Sequence, residues 1–117
     1  MEKKPQDIPL AERRCIPCEG GVEAYTPDEA EALMPQLDPS WLLVDDAHLL
    51  VNEFRFKNFA DAMVFANKVA DVAEAEQHHP DLSISWGSVS VELTTHAIAG
   101  LSENDFVLAA KIDKIAK

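Results

Sequence analysis

Residues 82–94, with the sequence LSISWGSVSVELT, alternate apolar and polar side chains around a central glycine. A period of two is typical of a strand that buries one face and exposes the other. Gly87-Ser88 suits the two-residue turn of a hairpin, because glycine tolerates the positive φ angles that such turns require. The stretch therefore predicts two antiparallel strands, and it is the clearest structural signal in the chain.

Helical signals lie on both sides of this hairpin. Upstream, Asn58 is placed to cap a segment whose apolar residues recur at helical spacing, so we expect a helix that runs to about Glu76. Downstream, Ser102 and Asp105 match a capping box at the start of a helix over residues 103–117. The hairpin is therefore expected to connect two helices.

The N-terminal half repeats this arrangement. Residues 26–29, Thr-Pro-Asp-Glu, combine an N-cap, a proline at the first helical position and a glutamate at the third, which predicts a short helix ending before Pro35. Residues 41–44 are apolar, residues 48–56 alternate apolar and polar side chains, and a turn signal, Asp45-Asp46, separates them, so these two segments are predicted to be paired strands.

The order of elements is therefore helix, two strands, helix, two strands, helix. Hairpins with one apolar face predict an α+β fold, in which a four-stranded antiparallel sheet carries three helices on one face, in the order α-β-β-α-β-β-α. Trp41 and Trp86 are interpreted as core or pocket-wall residues. The uncovered sheet face is either solvated or in contact with another subunit, and the sequence leaves both readings open.

Composition limits the functions to consider. A chain of 117 residues suits one domain, and its net charge of −11 disfavours binding to nucleic acid or to an anionic membrane surface. Without a long apolar run or a secretory leader pattern, the chain is expected to be soluble and cytoplasmic. Residues 1–24 have no periodicity and are predicted to form an irregular tail, followed by the domain proper over residues 25–117.

Cys15 and Cys18 form a Cys-x-x-Cys motif in this tail. A zinc ribbon needs a second pair of ligands, and a thioredoxin-like motif lies between a strand and a helix, so neither context is present. His78 and His79 could complete a zinc site, although adjacent histidines point in different directions. We favour a plain tail or a loosely docked arm and predict no metal site.

Three of the four histidines are clustered in the sequence. His78 and His79 follow the long helix, where the carbonyl dipoles favour positive charge and Pro80 prevents the helix from continuing. His96 follows the second strand of the hairpin. Because the two ends of an antiparallel hairpin lie side by side, pairing of its strands should bring all three imidazoles together. Histidine exchanges protons near neutral pH, so the cluster predicts acid-base catalysis.

Structural roles for these residues remain open. A histidine pair can be a solvated helix end, and His96 can bond to a loop carbonyl. Asp105 has a sufficient role as a cap, and His48 has no companion and is expected at the surface. Glu74 and Glu76 either face solvent or orient His78.

The segments 74–80, 95–96 and 100–105, with the hairpin between them, resemble the pterin-4a-carbinolamine dehydratase family in order and spacing. Residues 56–59 also resemble the family's segment before its long helix. The resemblance covers about residues 25–117. His-His-Pro alone is a weak motif, but in combination with the Thr-His and Gly-Leu-Ser segments it is specific.

The resemblance implies dehydration of 4a-hydroxytetrahydrobiopterin, or a related 4a-hydroxytetrahydropterin, to quinonoid dihydropterin and water, a step in tetrahydrobiopterin recycling. No cofactor is implied. On this reading His78 and His96 transfer protons and His79 chiefly binds the pterin, while Glu74 and Asp105 bind substrate or support the site. The family is commonly oligomeric, which implies a homodimer or homotetramer.

Two positions depart from the pattern of some relatives. Gln77 stands where an acid can precede the histidine pair, and Asn104 stands where an arginine can precede the aspartate. Either change could alter substrate preference. Animal relatives also serve as dimerisation cofactors for a homeodomain transcription factor, so a protein-binding role is an alternative, as is pterin binding without turnover.

Overall fold

The computed structural model describes residues 8–16 and 23–116. Between residues 23 and 116 the helices and strands follow the predicted order, and the α+β fold class is confirmed. The elements are α1 (Pro27–Leu33), β1 (Leu42–Val44), β2 (Leu49–Arg55), α2 (Phe59–Glu76), β3 (Asp81–Ser85), β4 (Ser88–Leu93) and α3 (Glu103–Ala116). In the part of the chain described, no helix is both long and apolar enough to cross a bilayer.

Local capping explains where the first two helices begin. The hydroxyl of Thr26 accepts the N–H of Glu29 at 3.2 Å, and the Glu29 carboxylate accepts the N–H of Thr26 at 2.9 Å. The side-chain oxygen of Asn58 accepts the N–H of Asp61 at 2.7 Å and caps α2. Both predicted caps are confirmed, and each satisfies N–H groups that a helix start would otherwise leave without partners.

The sheet has the strand order β1-β2-β4-β3, and each neighbouring pair is antiparallel. Leu50 of β2 lies opposite Leu93 of β4, so their side chains share a face, and Val91 lies on the same face two residues away. These three side chains are fully buried together with Val69 of α2 and Phe106 of α3. This apolar face of the sheet therefore forms the core with the helices.

The opposite sheet face lies away from this core. Leu42 is 59 % exposed there, and neighbouring positions carry Ser83, Ser90 and Glu92. These residues belong to the lining of a broad groove of about 590 Å³. This face therefore carries polar side chains and an exposed leucine, whereas the opposite face carries buried apolar side chains.

The turn of the second hairpin differs from the prediction by one residue. It consists of Trp86 and Gly87, not of Gly87 and Ser88, because Ser88 pairs with Arg55 of β2 and is thereby kept within β4. This long-range pairing has no signal in the local sequence. Trp86 is consequently 70 % exposed at the tip of the hairpin, so its assignment to the core or a pocket wall was wrong, whereas Trp41 is buried as predicted.

Residues 8–16, here called the N-terminal strap, pack along α3. The strap contains a short 3-10 turn, Leu10–Glu12, and the Leu10 side chain is only 2 % exposed. Arg13 forms an ion pair with Glu103 at the start of α3, with an N–O distance of 2.5 Å. The described part of the predicted tail is therefore docked, while Cys18 lies outside the described residues. The division of the chain at residue 24 stays a prediction.

Candidate active site

One cleft, with a volume of about 260 Å³, is lined by all three clustered histidines. The strap, the end of α2, the segment after β4 and the first turn of α3 contribute its described lining: Ile16, Gln77, His78, His79, Thr94, Thr95, His96, Ala97 and Asn104. Pockets for drug-sized ligands usually measure about 300–1,000 Å³. The dimensions and polar lining of this cleft therefore suit a small polar heterocycle.

The end of α2 directs the histidine pair out of the helix. Gln77 has a left-handed backbone conformation, with φ 54° and ψ 37°, and its N–H bonds to the carbonyls of Ala73 and Glu74. The N–H of His78 also bonds to the Ala73 carbonyl, at 3.2 Å. A left-handed residue in this position ends a helix and satisfies its last carbonyls. The chain can then enter β3 at Asp81.

Strand pairing brings the second part of the site beside the first. Asp81, the first residue of β3, lies opposite Glu92 near the end of β4. The histidine pair just before β3 and the Thr-Thr-His segment just after β4 are therefore neighbours at this end of the sheet. All three imidazoles consequently line the same cleft.

A closed loop supports His96. Thr95 and Gly100 form an isolated antiparallel bridge, and the N–H of Thr95 donates to the Gly100 carbonyl at 2.8 Å. A Cβ atom at Gly100 would lie 2.6 Å from the Cβ of Ala24, so only glycine fits without displacing the neighbouring chain. His96 is exposed at the start of the enclosed 3-10 turn, where a substrate can reach it.

Asp105 holds His78 in position. Its carboxylate is fully buried, and Oδ1 lies 2.6 Å from Nε2 of His78, whose side chain is 12 % exposed. Oδ2 accepts hydrogen bonds from the Thr95 hydroxyl at 2.8 Å and from the Ser102 N–H at 2.9 Å. An ionised carboxylate only accepts hydrogen bonds, so Nε2 of His78 donates to it. Nδ1 is then the nitrogen of His78 that remains for a ligand.

The predicted capping box at α3 is only half formed. Asp105 accepts the N–H of Ser102, but the Ser102 hydroxyl lies 2.8 Å from the hydroxyl of Thr95 instead of accepting the N–H of Asp105. That N–H donates to the Ser102 carbonyl at 3.1 Å. Thr95 is 4 % exposed, and a buried hydroxyl requires hydrogen-bond partners. Asp105 therefore serves as both a partial cap and the partner of His78.

The two glutamates of α2 have different surroundings. Glu74 is exposed, and its carboxylate lies 3.7 Å from Nε2 of His79, which is also exposed. Glu76 is largely buried, accepts the N–H of Cys15 at 2.8 Å and lies 3.8 Å from Nζ of Lys111. Solvent exposure, one of the two predicted roles, applies to Glu74, whereas Glu76 has neither predicted role because it binds the strap.

The fourth histidine lies outside the cleft. His48 is exposed, as predicted, and its Nδ1 lies 2.7 Å from the carbonyl oxygen of Asp45. Within residues 8–16 and 23–116, no group of three or more His, Cys, Asp and Glu residues is arranged to hold a metal ion. The alternative of a zinc site that combines Cys15 and Cys18 with the histidine pair includes Cys18, which is not among the described residues, so this alternative stays open.

Six lining residues of the cleft were not identified as site residues from the sequence: Ile16, Gln77, Thr94, Thr95, Ala97 and Asn104. Asn104 is 5 % exposed, and its side-chain amide makes two hydrogen bonds with the backbone of Ile16. In the sequence, Asn104 stood out only because it replaces an arginine that some relatives carry before the aspartate. No pattern in the sequence indicated Ile16 as a site residue, because only the packing of the strap against α3 places it beside the histidines.

Comparison with known proteins adds to this geometry. A family model described as "Pterin 4 alpha carbinolamine dehydratase" matches residues 23–115. The chain belongs to the pterin-4a-carbinolamine dehydratase family. Membership confirms the resemblance seen in the histidine, hairpin and α3 segments, and it makes a pterin the first ligand to consider for the cleft.

Curated bacterial relatives match the family domain over most of its length. A protein of Methylococcus capsulatus is 50 % identical over 107 residues, which is 92 % of this chain and 93 % of the relative. A protein of Halorhodospira halophila is 46 % identical over 106 residues, which is 91 % of this chain and 96 % of the relative. Both are provisionally named pterin-4-alpha-carbinolamine dehydratases.

Solved structures support the pterin dehydratase fold. A transcriptional coactivator/pterin dehydratase from Brucella melitensis has a TM-score of 0.75 and 33 % identity, covering 81 % of this chain and all of that one. A pterin dehydratase-like protein, described as a RuBisCO assembly factor in the alpha-carboxysome, has a TM-score of 0.57 and 23 % identity, covering 66 % of this chain and 89 % of that one. The second likeness shows only that the fold is shared.

Cys15 lies in the strap next to Asn104, a lining residue of the histidine cleft. Burial, and then the carboxylate of Glu76, raise the pKa of the Cys15 thiol to about 12. The thiol donates a hydrogen bond to the Asn104 carbonyl, with an S–O distance of 3.6 Å. Since the thiolate is the reactive form of cysteine, a docked strap makes this thiol inert at neutral pH.

We expect Cys15 to resist alkylation while the protein is folded. In a Cys18→Ser variant, in which Cys15 is the only thiol, iodoacetamide at pH 8 should react at least about 100-fold more slowly with the native protein than with the urea-unfolded protein, as followed by mass spectrometry. Equal rates would show that the strap is not docked.

Because the unfolded thiol ionises near pH 9.0 and the folded one near 12, the thiol's contribution to stability is lost as the pH rises above about 9.

Proposed function

We propose that the protein dehydrates 4a-hydroxytetrahydrobiopterin, or a related 4a-hydroxytetrahydropterin, to quinonoid dihydropterin and water in tetrahydrobiopterin recycling. Membership of the dehydratase family supports this substrate class. The observation that carries the proposal is a cleft lined by three histidines, one of which is held by a buried carboxylate. Such a cleft provides the groups that acid-base dehydration requires.

The reaction consists of two proton transfers and one bond cleavage. The hydroxyl group on C4a receives a proton and leaves as water, while N5 loses its proton and forms a double bond to C4a. The electron pair of the broken N–H bond becomes the new π bond, so the substrate is neither oxidised nor reduced. The reaction balances without an oxidant or reductant, and positioned acid-base groups typically contribute about 10²- to 10⁴-fold in rate.

His78 and His96 are the proton-transfer residues in this proposal. With Nε2 of His78 donating to Asp105, neutral His78 keeps a lone pair on Nδ1, which can accept the N5 proton. The carboxylate of Asp105 then compensates the positive charge that develops on the ring. His96 supplies the proton to the C4a hydroxyl, and exchange with solvent returns both histidines to their starting states.

His79 binds and orients the pterin in this scheme. Its side chain is 59 % exposed, and its Nε2 lies 3.7 Å from the Glu74 carboxylate, a contact too long and too exposed to hold the ring strongly. Its imidazole can therefore turn towards the polar edge of a pterin. Glu74 has a supporting role through His79, while Asp105 acts through His78.

A direct assay tests the reaction. An aromatic amino acid hydroxylase can generate the 4a-hydroxytetrahydropterin, and absorbance then follows formation of the quinonoid dihydropterin against the spontaneous rate. We expect the wild-type protein to accelerate the reaction and a His78→Ala/His96→Ala double variant to lose most of that acceleration. A wild-type rate equal to the spontaneous rate would overturn the proposal.

A protein-binding role is the second candidate. The Brucella melitensis chain is named both a transcriptional coactivator and a pterin dehydratase, and this name favours testing such a role here. Protein binding would use a surface outside the histidine cleft. A stoichiometric complex with a protein partner that survives the His78→Ala/His96→Ala change would support it, and pterin binding without turnover would instead indicate a non-catalytic pterin binder.

The assembly also remains a prediction of the family resemblance. A homodimer or homotetramer would bury apolar side chains that are exposed in one chain, such as Leu42 on the uncovered sheet face and Val64 on α2. Their exposure, 59 % and 54 %, is high for large apolar residues. Light scattering coupled to size exclusion measures the mass in solution and distinguishes these states from a monomer.

A further inference from the structure

The strap is held against α2 and α3 by contacts along its length. Besides the Arg13 ion pair, Nζ of Lys111 donates to the Ala11 carbonyl at 3.0 Å, and the N–H of Cys15 donates to Glu76 at 2.8 Å. Leu10 adds a buried apolar anchor. These contacts are spread along the strap, so its path up to the cleft is defined.

Asn104 fixes the end of the described strap. Its Oδ1 accepts the N–H of Ile16 at 2.9 Å, and its Nδ2 donates to the Ile16 carbonyl at 2.5 Å. One side-chain amide thus binds both backbone polar groups of one residue, as a neighbouring strand would. Asn104 directly precedes Asp105, so a single turn of α3 orients both the Ile16 backbone and the His78 ring.

Ile16 belongs to the lining of the cleft and is 64 % exposed. Among the described lining residues it is the large aliphatic one, since the others are histidines, threonines, amides and a single alanine. An exposed isoleucine gains free energy when an apolar ligand surface covers it. A pterin has polar edges, which suit the histidines, and flat ring faces, which suit an aliphatic side chain.

We infer that Ile16, positioned by Asn104, packs against a face of the pterin ring and so sets the affinity of the site for its substrate. The N-terminal strap is then part of the substrate-binding site. This inference rests on the proposed function and assigns a residue outside the histidine cluster to it. Ile16 contacts the substrate, whereas Asn104 is a positioning residue that acts through Ile16.

Steady-state kinetics and direct binding test this assignment together. Ile16→Ala should raise KM by about ten-fold, because loss of apolar contact in a pocket typically costs about ten-fold or more, with kcat changed less than about two-fold. Ile16→Leu should restore most of the affinity. The Kd for 7,8-dihydropterin, a stable reduced pterin, should rise in parallel with KM.

Asn104→Ala should reproduce the rise in KM. The KM of the Ile16→Ala/Asn104→Ala double variant should be about equal to the higher of the two single-variant KM values, because both changes remove the same contact. Ile84→Ala is the matched control, since Ile84 is an exposed isoleucine of β3 that does not belong to the described lining of the cleft. Thermal melting curves of each variant separate loss of contact from loss of fold.

The outcomes distinguish the two levels of the proposal. Wild-type turnover with unchanged KM and Kd in Ile16→Ala would overturn the role of Ile16 and leave the dehydratase function intact. A wild-type protein without turnover would overturn the function, while binding of 7,8-dihydropterin would still test Ile16 through Kd. If the wild-type protein neither turns over nor binds a reduced pterin, both inferences are wrong.

Discussion

Replacement of His78 by alanine should lower kcat by about 10²- to 10⁴-fold, the usual contribution of a positioned acid-base group. KM should change much less, because His79, His96 and Ile16 still line the cleft in the variant. The loss follows from removal of the one imidazole that a buried carboxylate orients. Stopped-flow absorbance at saturating 4a-hydroxytetrahydropterin measures kcat directly.

His48→Ala is the control for this substitution. It makes the same chemical change at an exposed histidine outside the cleft and should leave kcat at the wild-type value. Added imidazole should restore part of the activity of His78→Ala if the cavity left by the ring admits it. Wild-type kcat in His78→Ala would remove His78 from the proposed proton transfer.

The second large effect is expected at Asp105. Asp105→Ala removes the acceptor for three donors, the N–H of Ser102, the hydroxyl of Thr95 and Nε2 of His78. A buried donor left without a partner costs about 1–3 kcal/mol, and because the Ser102 and His78 donors are only partly buried, the sum is smaller than three full penalties. We therefore expect the free energy of unfolding to fall by about 2–4 kcal/mol. Urea unfolding, followed by the fluorescence of buried Trp41, measures this change.

Asp105→Asn separates stability from catalysis. Asparagine keeps the volume and one acceptor oxygen, so the stability loss should be smaller than for alanine. Its amide can present an N–H towards Nε2 of His78 and favour the wrong tautomer, so kcat should still fall by about 10²-fold or more. The pH profile of kcat should also change. If Asp105→Asn retained wild-type kcat and pH profile, the aspartate would be a cap and not a positioning residue for His78.

Much of the fold was predictable because its signals are local. The caps at Thr26 and Asn58 involve residues three positions apart, and both formed as predicted. The alternation of β3 and β4 likewise depends on neighbouring residues. The hairpin turn was displaced by one residue because pairing between β2 and β4 contributed to its position.

The site was predictable only in outline. Two histidines before one strand and one after its partner must approach each other if the strands form a hairpin, and this inference needs no side-chain detail. The partner of His78 was not predictable in the same way. Asp105, Glu74 and Glu76 were all acidic candidates nearby in sequence or motif, and only the packing of α3 against α2 selects among them.

By itself, the sequence determined the order of elements, the fold class and the gathering of His78, His79 and His96 at one end of a hairpin. Those features follow from periodicity and capping, which act within a few residues. Tertiary structure alone decided that Asp105 orients His78 across 27 positions and that Asn104 binds Ile16 across 88. Hydrogen bonds over such separations depend on how whole helices and the strap pack, and packing brings together residues that share no local pattern.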